Sequence, residues 1–500
     1  MRNKIAAKNG MMILMCQVPN IILGFVVRKL FIQYIGIEML GVSGTFLSLL
    51  SALSIAEMGF ESAIIYSLYK PMKDGGKREI EDIISILKRI YQFVGLFVLV
   101  SGLAMSMFLP QILKGIDVNS TIYIAFYCYL SGSAITYFFA YKGTFLLAQQ
   151  KDYVRSLYAT AYRIVAAIIQ LVLIVKFHSF ILFAAVSIVQ NFMTNYSISR
   201  YVDKNYDYSF NQKINMPLFK NILKNVKDIF FGKMAGYVYS STDNILISVF
   251  VNTLSVGLLG NYTQILIQLK MVINNAFTST KPIIGHFLAT TEDFDHTYQI
   301  LKNYTFLRYV TVVLLFVPGF VLCDSFISLW LGKNFVLSIA ISLLLVTDIF
   351  IHFVHGALVD YIAGLGYFRQ DRKISIIGAI LNLVLSLILV NSIGITGVLI
   401  GTVVSQSFFW ICRSVIVFKT YFKDLKEKFL NYWLYSIGCT FLFYTLCFLS
   451  WWVFKKVPME ESYLKFVVGG ILCCLINIPI ILIVFARTKE FKYLSNMIRK

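Results

Sequence analysis

The sequence predicts an all-α polytopic membrane protein with about fourteen transmembrane helices. Three observations carry that expectation. Of the 500 residues, 58% are apolar and 14% are charged, where soluble domains hold about 45–50% and about 25%. Apolar windows of spanning length recur along the whole chain. Lys and Arg concentrate in alternate connections between those windows. The mean hydropathy of +0.74 agrees. Passes of about 20 residues each, taken about fourteen times, account for most of the apolar positions, so little remains for a soluble catalytic domain.

The windows fall near 12–33, 43–68, 90–110, 120–146, 156–176, 179–199, 228–251, 257–280, 303–323, 335–361, 374–391, 394–417, 430–454 and 464–486. Their continuous apolarity indicates helices, because barrel strands would alternate over about 10 residues. Arg2-Asn3-Lys4 followed by an apolar run imitates a signal peptide. No small-residue cleavage site follows and Pro19-Asn20 interrupts the run, which fits an uncleaved first membrane helix. With the N-terminus inside, the odd-numbered connections hold only Lys114, Lys176, Lys333, Lys455, Lys456 and Lys465. The even-numbered connections and both tails collect most of the remaining basic residues, as the positive-inside rule requires, so both termini are expected in the cytoplasm. The net charge of +20 follows from that rule, and no soluble basic module exists to bind nucleic acid. The eight cysteines are scattered without a CxxC pair; neither a disulfide framework nor a zinc site is indicated.

The longest inside connection, near 200–227, divides the chain. The expected organisation is an N-terminal six-helix bundle (1–199), a cytoplasmic linker (200–227), a second six-helix bundle (228–419), and an extra helix pair with a cytoplasmic tail (420–500). An internal repeat supports the two bundles. Leu40-Gly41-Val42-Ser43-Gly44-Thr45-Phe46 and Val256-Gly257-Leu258-Leu259-Gly260-Asn261-Tyr262 share the pattern apolar-Gly-apolar-x-Gly-polar-aromatic, 216 residues apart. Two Gly-containing loops can match by chance, but the same offset also aligns the starts of spans one and seven. An even number of helices separates the copies, so the repeat is parallel, with a pseudo-twofold axis along the membrane normal and a central cleft expected between the bundles.

Three stretches resemble one family. They are Tyr34-Ile35-Gly36-Ile37-Glu38-Met39-Leu40-Gly41-Val42 leading to Leu53-Ser54-Ile55-Ala56-Glu57-Met58-Gly59-Phe60; Ser241-Thr242-Asp243-Asn244-Ile245-Leu246-Ile247-Ser248 leading to Val256-Gly257; and Asn382-Leu383-Val384-Leu385-Ser386 with Gly394-Ile395-Thr396-Gly397 and Gly401-Thr402. Together they are similar to the polysaccharide flippases, of the O-antigen and capsule repeat-unit kind, in the multidrug/oligosaccharidyl-lipid/polysaccharide exporter superfamily. The resemblance implies translocation of undecaprenyl-diphosphate-linked oligosaccharides across the bacterial cytoplasmic (inner) membrane, without a cofactor, and with H+ or Na+ as conceivable coupling ions. It also implies polysaccharide polymerase and chain-length machinery as partners, besides membrane lipid. The extra helix pair is a feature of the fourteen-helix members, including lipid II flippases.

Charges inside a bilayer cost about 2.5–3.5 kcal/mol each on insertion scales, so they mark pairs or wet cavities. Five basic residues are candidates for the diphosphate and glycan: Arg28, Lys270, Arg163, Lys233 and Arg308. An anion that leaves water needs cationic partners, and a guanidinium forks onto phosphate. Lys270 is near the middle of span eight, too deep for easy snorkelling. Arg28 sits beside Lys29 in the outer third of span one and could snorkel. For Lys233 and Arg308, near inner edges, snorkelling is the simpler explanation. Candidate ion-coupling or charge-pairing groups are Glu57, Glu61, Asp243, Asp348, His352 and His355. Glu57 and Glu61 are four apart and would share a face of span two; simple neutralisation by a basic neighbour explains them equally well. Asp348, His352 and His355 would share a face of span ten, more readily as a polar, proton-responsive stripe than as a metal site. Trp330, Trp451 and Trp452 fit an interfacial belt, and Trp410 does not.

No Walker A loop and no Gly-x-Ser-x-Gly elbow occurs, so no catalytic residue is assigned and the expected activity is secondary transport, not enzymology. The competing readings are a multidrug/cation antiporter, which would favour carboxylates and aromatics, a lipid II flippase, and an O-antigen polymerase or ligase. The last needs an extended outside loop that the windows leave no room for.

Overall fold

The computed structural model describes residues 2–57, 59–278, 280–291, 293–422 and 426–499. Among them the regular structure is helical: α1 (Arg2–Tyr34), α2 (Ile37–Leu53), α3 (Phe60–Asp74), α4 (Lys77–Ser106), α5 (Leu109–Ile112), α6 (Ser120–Tyr137), α7 (Ala140–Ala148), α8 (Asp152–Phe177), α9 (Phe180–Asn205), α10 (Met216–Leu246), α11 (Thr253–Thr278), α12 (Lys281–Thr290), α13 (Phe294–Trp330), α14 (Ile339–Gly364), α15 (Phe368–Ile416), α16 (Lys426–Lys455), α17 (Tyr463–Phe485) and α18 (Lys489–Arg499). Among the described residues ten helices are long and apolar enough to cross a membrane, or eleven if the pair α6–α7, bent by 48°, is one span.

The expected number was about fourteen, and the difference arises at three places. Span two is broken: α2 ends at Leu53, a 3₁₀ turn covers Ser54–Glu57, and Gly59 takes φ +101° before α3 begins. Among the described residues the apolar stretch at the end of α10 and the turn after it, Thr242–Val251, is short. Spans eleven and twelve run together as α15, interrupted by non-helical backbone at Ile393 and Gly394. The break in span two also corrects the expectation for Glu57 and Glu61. They do not share one helix face, because Glu57 ends the 3₁₀ turn and Glu61 lies in the first turn of α3.

The chain divides into two compact units, Met1–Gly257 and Leu258–Lys500. In the first, α1 packs on α8, α6 on α9 and on α4, and α3 on α4. Phe31, Phe46, Phe126 and Phe145 are buried in its core, with Phe46 and Phe126 edge-to-face at 5.0 Å. Helix α10 belongs to this unit by packing. It lies on α2 and α3, the Tyr237 hydroxyl donates to the Ser48 carbonyl (3.0 Å), and Asn244 Nδ2 donates to Ser48 Oγ (3.1 Å). By contacts the chain divides at Gly257, whereas the sequence reading placed the division at the long connection 200–227.

The two repeat glycines meet inside this unit. A Cβ on Gly41 would lie 2.0 Å from the Thr253 carbonyl oxygen, and a Cβ on Gly257 would lie 2.6 Å from the Ile37 carbonyl oxygen. Each glycine faces the carbonyl four residues before its counterpart, a reciprocal contact of the kind a local twofold produces. Only glycine permits backbones this close.

In the second unit α13 is the central helix, touching α14, α16, α17 and α18, while α14 packs on α15 and α12. Its core includes Phe306, Phe316, Phe350 and Phe443, with Phe350 and Phe443 stacked at 4.1 Å. Trp410 donates its Nε1–H to the Tyr432 hydroxyl (2.9 Å), which ties α15 to α16 and explains its departure from the interfacial pattern. Large apolar side chains remain outside, Ile483 at 80% and Phe441 at 75% exposure, as lipid-facing positions require. Helix α18 is docked through Glu490, which pairs with Lys302 at 2.9 Å. Burial alone would raise the Glu490 carboxyl, but its hydrogen bond and charge pairing with Lys302 hold it below the usual carboxylate value.

Two outcomes are expected. Gly41→Val should cost about 1–3 kcal/mol through overpacking, read as a lowered Tm of the purified protein in detergent. A depressed native carboxyl stabilises the fold above its unfolded pKa and loses that contribution as pH falls through the native value. Docking of α18 should therefore be strongest at neutral pH and weaken below the ordinary Glu value of 4.5, seen as faster amide hydrogen exchange at 489–495.

Candidate functional site

Within the first unit the broken span two, α4, α6–α7, α8, α9 and α10 surround a cavity of about 810 Å³. Its charged lining is Glu57, Glu61, Asp152 and Arg155, among Tyr91, Tyr137, Tyr237, Thr144 and Asn195. The 3₁₀ turn delivers Glu57 and the first turn of α3 delivers Glu61, so the break in the helix brings both carboxylates to one wall. Arg155 lies 3.7 Å from Glu61 and 3.5 Å from Asp152, the latter as an i,i+3 pair on α8. Thr144 Oγ1 approaches Glu61 at 3.5 Å. The Tyr137 hydroxyl donates to Ser54 Oγ (2.9 Å) and lies beside Glu57. Among the described lining residues three carboxylates accompany one guanidinium, and carboxylates of this kind can hold a proton or a cation.

The other first-unit candidates lie elsewhere. Arg28 does not line the cavity; its guanidinium reaches the Gly257 carbonyl at 3.4 Å, next to the glycine crossing. Lys29 is exposed and Arg163 is exposed on α8. Asp243 sits on α10 beside Asn244, whose amide holds Ser48. The side chain of Lys233 lies outside the described residues.

In the second unit the structure corrects the snorkelling expectation for Arg308. This residue is 4% exposed. Its guanidinium donates to Asp360 Oδ2 (2.5 Å), to the Tyr304 hydroxyl (2.8 Å) and to the Phe353 carbonyl (3.1 Å), and it stacks over Phe277 at 4.5 Å. Lys281 approaches the same carboxylate at 3.6 Å. A second group centres on Arg413, which donates to Asp371 Oδ1 (2.6 Å) and contacts His355 Nε2 at 3.0 Å. His355 Nδ1 meets the Ile351 carbonyl at 2.6 Å. A proton on Nδ1 and a lone pair on Nε2 satisfy both contacts, so this histidine is engaged in structure rather than presented to solvent. His352 and His355 stand edge-to-face at 6.0 Å, and His352 Nδ1 is 3.5 Å from Gln406 Nε2. Lys270 is half-buried on α11 and an electrostatic neighbour of His352. Asp348 is half-buried on the same helix as the histidines.

Several site residues escape sequence reasoning. Lys142, Asp360 and Arg413 fall inside the predicted windows 120–146, 335–361 and 394–417, and the positive-inside accounting absorbs Lys142 and Arg413 into the cytoplasmic excess. A check for basic residues inside windows would have found both. Lys142 is 8% exposed and bonds Ser199 (2.8 Å) and Asp203 (2.7 Å). Asp152 and Arg155 carry only an i,i+3 spacing, which is too common to stand out.

No family model and no curated protein matches this sequence. Solved structures match its fold. A lipid II flippase, MurJ, in an inward closed conformation superposes with a TM-score of 0.71 at 14% identity, covering 95% of this chain and 100% of that one. A multidrug resistance MATE family transporter of the MOP superfamily, inward-facing, gives 0.60 at 15% identity over 81% and 96%. A Vibrio cholerae MATE transporter gives 0.55 at 13% identity over 84% and 99%. The protein is therefore a multi-pass membrane protein with the fold shared by MOP-type transporters and flippases.

Removing Arg308 leaves Asp360 buried without its main partner, a loss of about 3–5 kcal/mol. Arg308→Ala should sharply lower Tm in detergent, and Arg308→Lys should recover part of it, since Lys keeps the charge but not the fork.

Proposed function

We propose that this protein is a flippase that carries undecaprenyl-diphosphate-linked oligosaccharide repeat units, of the O-antigen or capsule kind, across the bacterial cytoplasmic membrane. The observation that carries this reading is the likeness to a lipid II flippase over 95% of this chain and all of that one, against 81–84% for the two MATE transporters compared. The resemblance seen in the sequence agrees with it. Counting the broken α2–α3, α10 and both halves of α15 as passes restores about fourteen, with both termini cytoplasmic.

In the proposed cycle of alternating access, cationic side chains receive the diphosphate while the polyprenyl tail stays in lipid. Arg308 is committed to Asp360, which leaves Arg28 and Lys270 as the principal cations, with Arg163 and Lys233 as lesser ones. Glu57 and Glu61, and Asp243, would take up the H+ or Na+ that resets the cycle, or the membrane potential would do so. Asp348, His352 and His355 would be a supporting polar stripe. Polysaccharide polymerase and chain-length proteins would receive the flipped product. One observation favours a second reading: the acidic, tyrosine-lined cavity suits an organic cation, as in a multidrug antiporter, and raised drug susceptibility of a deletion strain would mark that case. Lipid II as the substrate would make the gene essential.

The test is lipid extraction from a strain lacking the gene, with mass spectrometry of polyprenyl-diphosphate glycans. One such glycan should accumulate while surface polymer is lost. Intact polymer without accumulation, in a host with no second flippase, would sink the proposal. Arg28→Ala combined with Lys270→Ala should reproduce the deletion at normal protein levels; unchanged surface glycan would remove those two residues from the substrate path.

A further inference from the structure

The connection between the repeats has the sequence of a loose linker, but its contacts are those of a fixed element. Residues 206–215 carry no helix. In an extended chain alternate residues share a face, and here Tyr206, Tyr208 and Phe210 all turn onto Phe145 of α7, with ring centroids 5.0, 5.4 and 5.6 Å away. Phe145 is fully buried by them and by its neighbours. The strap is also held by hydrogen bonds to α4. Glu81, 8% exposed, accepts the Ser209 backbone N–H (2.8 Å) and the Gln212 side-chain amide (3.0 Å). Ser85 Oγ accepts the Gln212 backbone N–H (3.1 Å). Just upstream, Lys142 of α7 binds Asp203 at 2.7 Å. A buried carboxylate that accepts a backbone N–H is a strong anchor, because each partner left unmade would be a desolvated polar group.

We propose that residues 203–212 are a rigid strap, locked by Glu81, that stays fixed to α4 and α7 throughout the transport cycle. The segment joining the two repeats is then not the moving joint. Its role is to staple the cytoplasmic ends of α4, α7 and α9 into one body. The second half of the statement rests on the transport reading above, while the first half does not.

Limited chymotrypsin digestion tests the lock, since Tyr206, Tyr208 and Phe210 are its natural sites. The strap should resist cleavage in the wild type in detergent. Glu81→Ala should be cut there about tenfold faster, as expected when opening becomes easier. Ser209→Pro, which removes the donor from the strap and leaves the helices untouched, should do the same without lowering Tm in proportion. Wild-type cleavage as fast as either variant, with the helices intact, would overturn the lock. For the second half, Ser85→Cys with Gln212→Cys in a background without the native cysteines is oxidised and export is measured. Export equal to the reduced protein supports a strap that never moves. Export lost on oxidation and regained on reduction would mean that the strap must move. If neither form restores surface glycan while the wild type fails too, the transport reading falls and the proteolysis result still decides the lock.

Discussion

Every feature of this fold depends on one constraint: inside hydrocarbon, a backbone N–H or C=O has no water to bond. Helices meet it segment by segment, and the described elements are helices throughout. Departures from helical geometry then need cover from the rest of the protein. The break at Ser54–Glu57 faces a polar cavity rather than lipid. The interruption at Ile393 and Gly394 is bracketed by close packing of the two halves of α15, where Asn382 bonds Thr402 at 3.0 Å and Gly401 abuts Ser386.

The same scarcity of water sorts the charges. In the second unit they are paired and stacked: Arg308 with Asp360, Arg413 with Asp371. Such pairs return little net stability, because desolvation offsets the attraction. What they supply is geometry, since a guanidinium fork satisfied on several sides admits one arrangement of α13, α14 and α15. In the first unit Glu57, Glu61, Asp152 and Arg155 line a cavity, while others such as Lys142 and Asp203 are paired outside it. A group in a wet cavity can change its protonation or its partner at modest cost, whereas Arg308 cannot. The contrast assigns structural work to the buried pairs of the second unit.

That division bears on the flippase reading. Under that proposal the anion and the coupling ion would use different residues. Arg28 approaches the glycine crossing and Lys270 is half-buried on α11, and neither belongs to the acidic wall. The strap at 203–212 adds an element of another kind: a segment outside the helices whose aromatic side chains and carboxylate anchor tie it to α4 and α7.

The membrane class and most of the apolar windows were legible in the sequence, because burial in lipid is additive along a segment and needs no knowledge of neighbours. The match of Gly41 to Gly257 was visible for the same reason. The pairing of charges was not. Arg308 finds its partner 52 residues away, and nothing local distinguishes it from a snorkelling residue. The helix break that brings Glu57 and Glu61 to one wall likewise depends on packing by α4, α7, α8 and α10. The sequence by itself therefore determined a helical membrane protein. Only the tertiary structure decided which charges are locked and which line a cavity, because the partner of a buried group is chosen by segments that become neighbours only on folding.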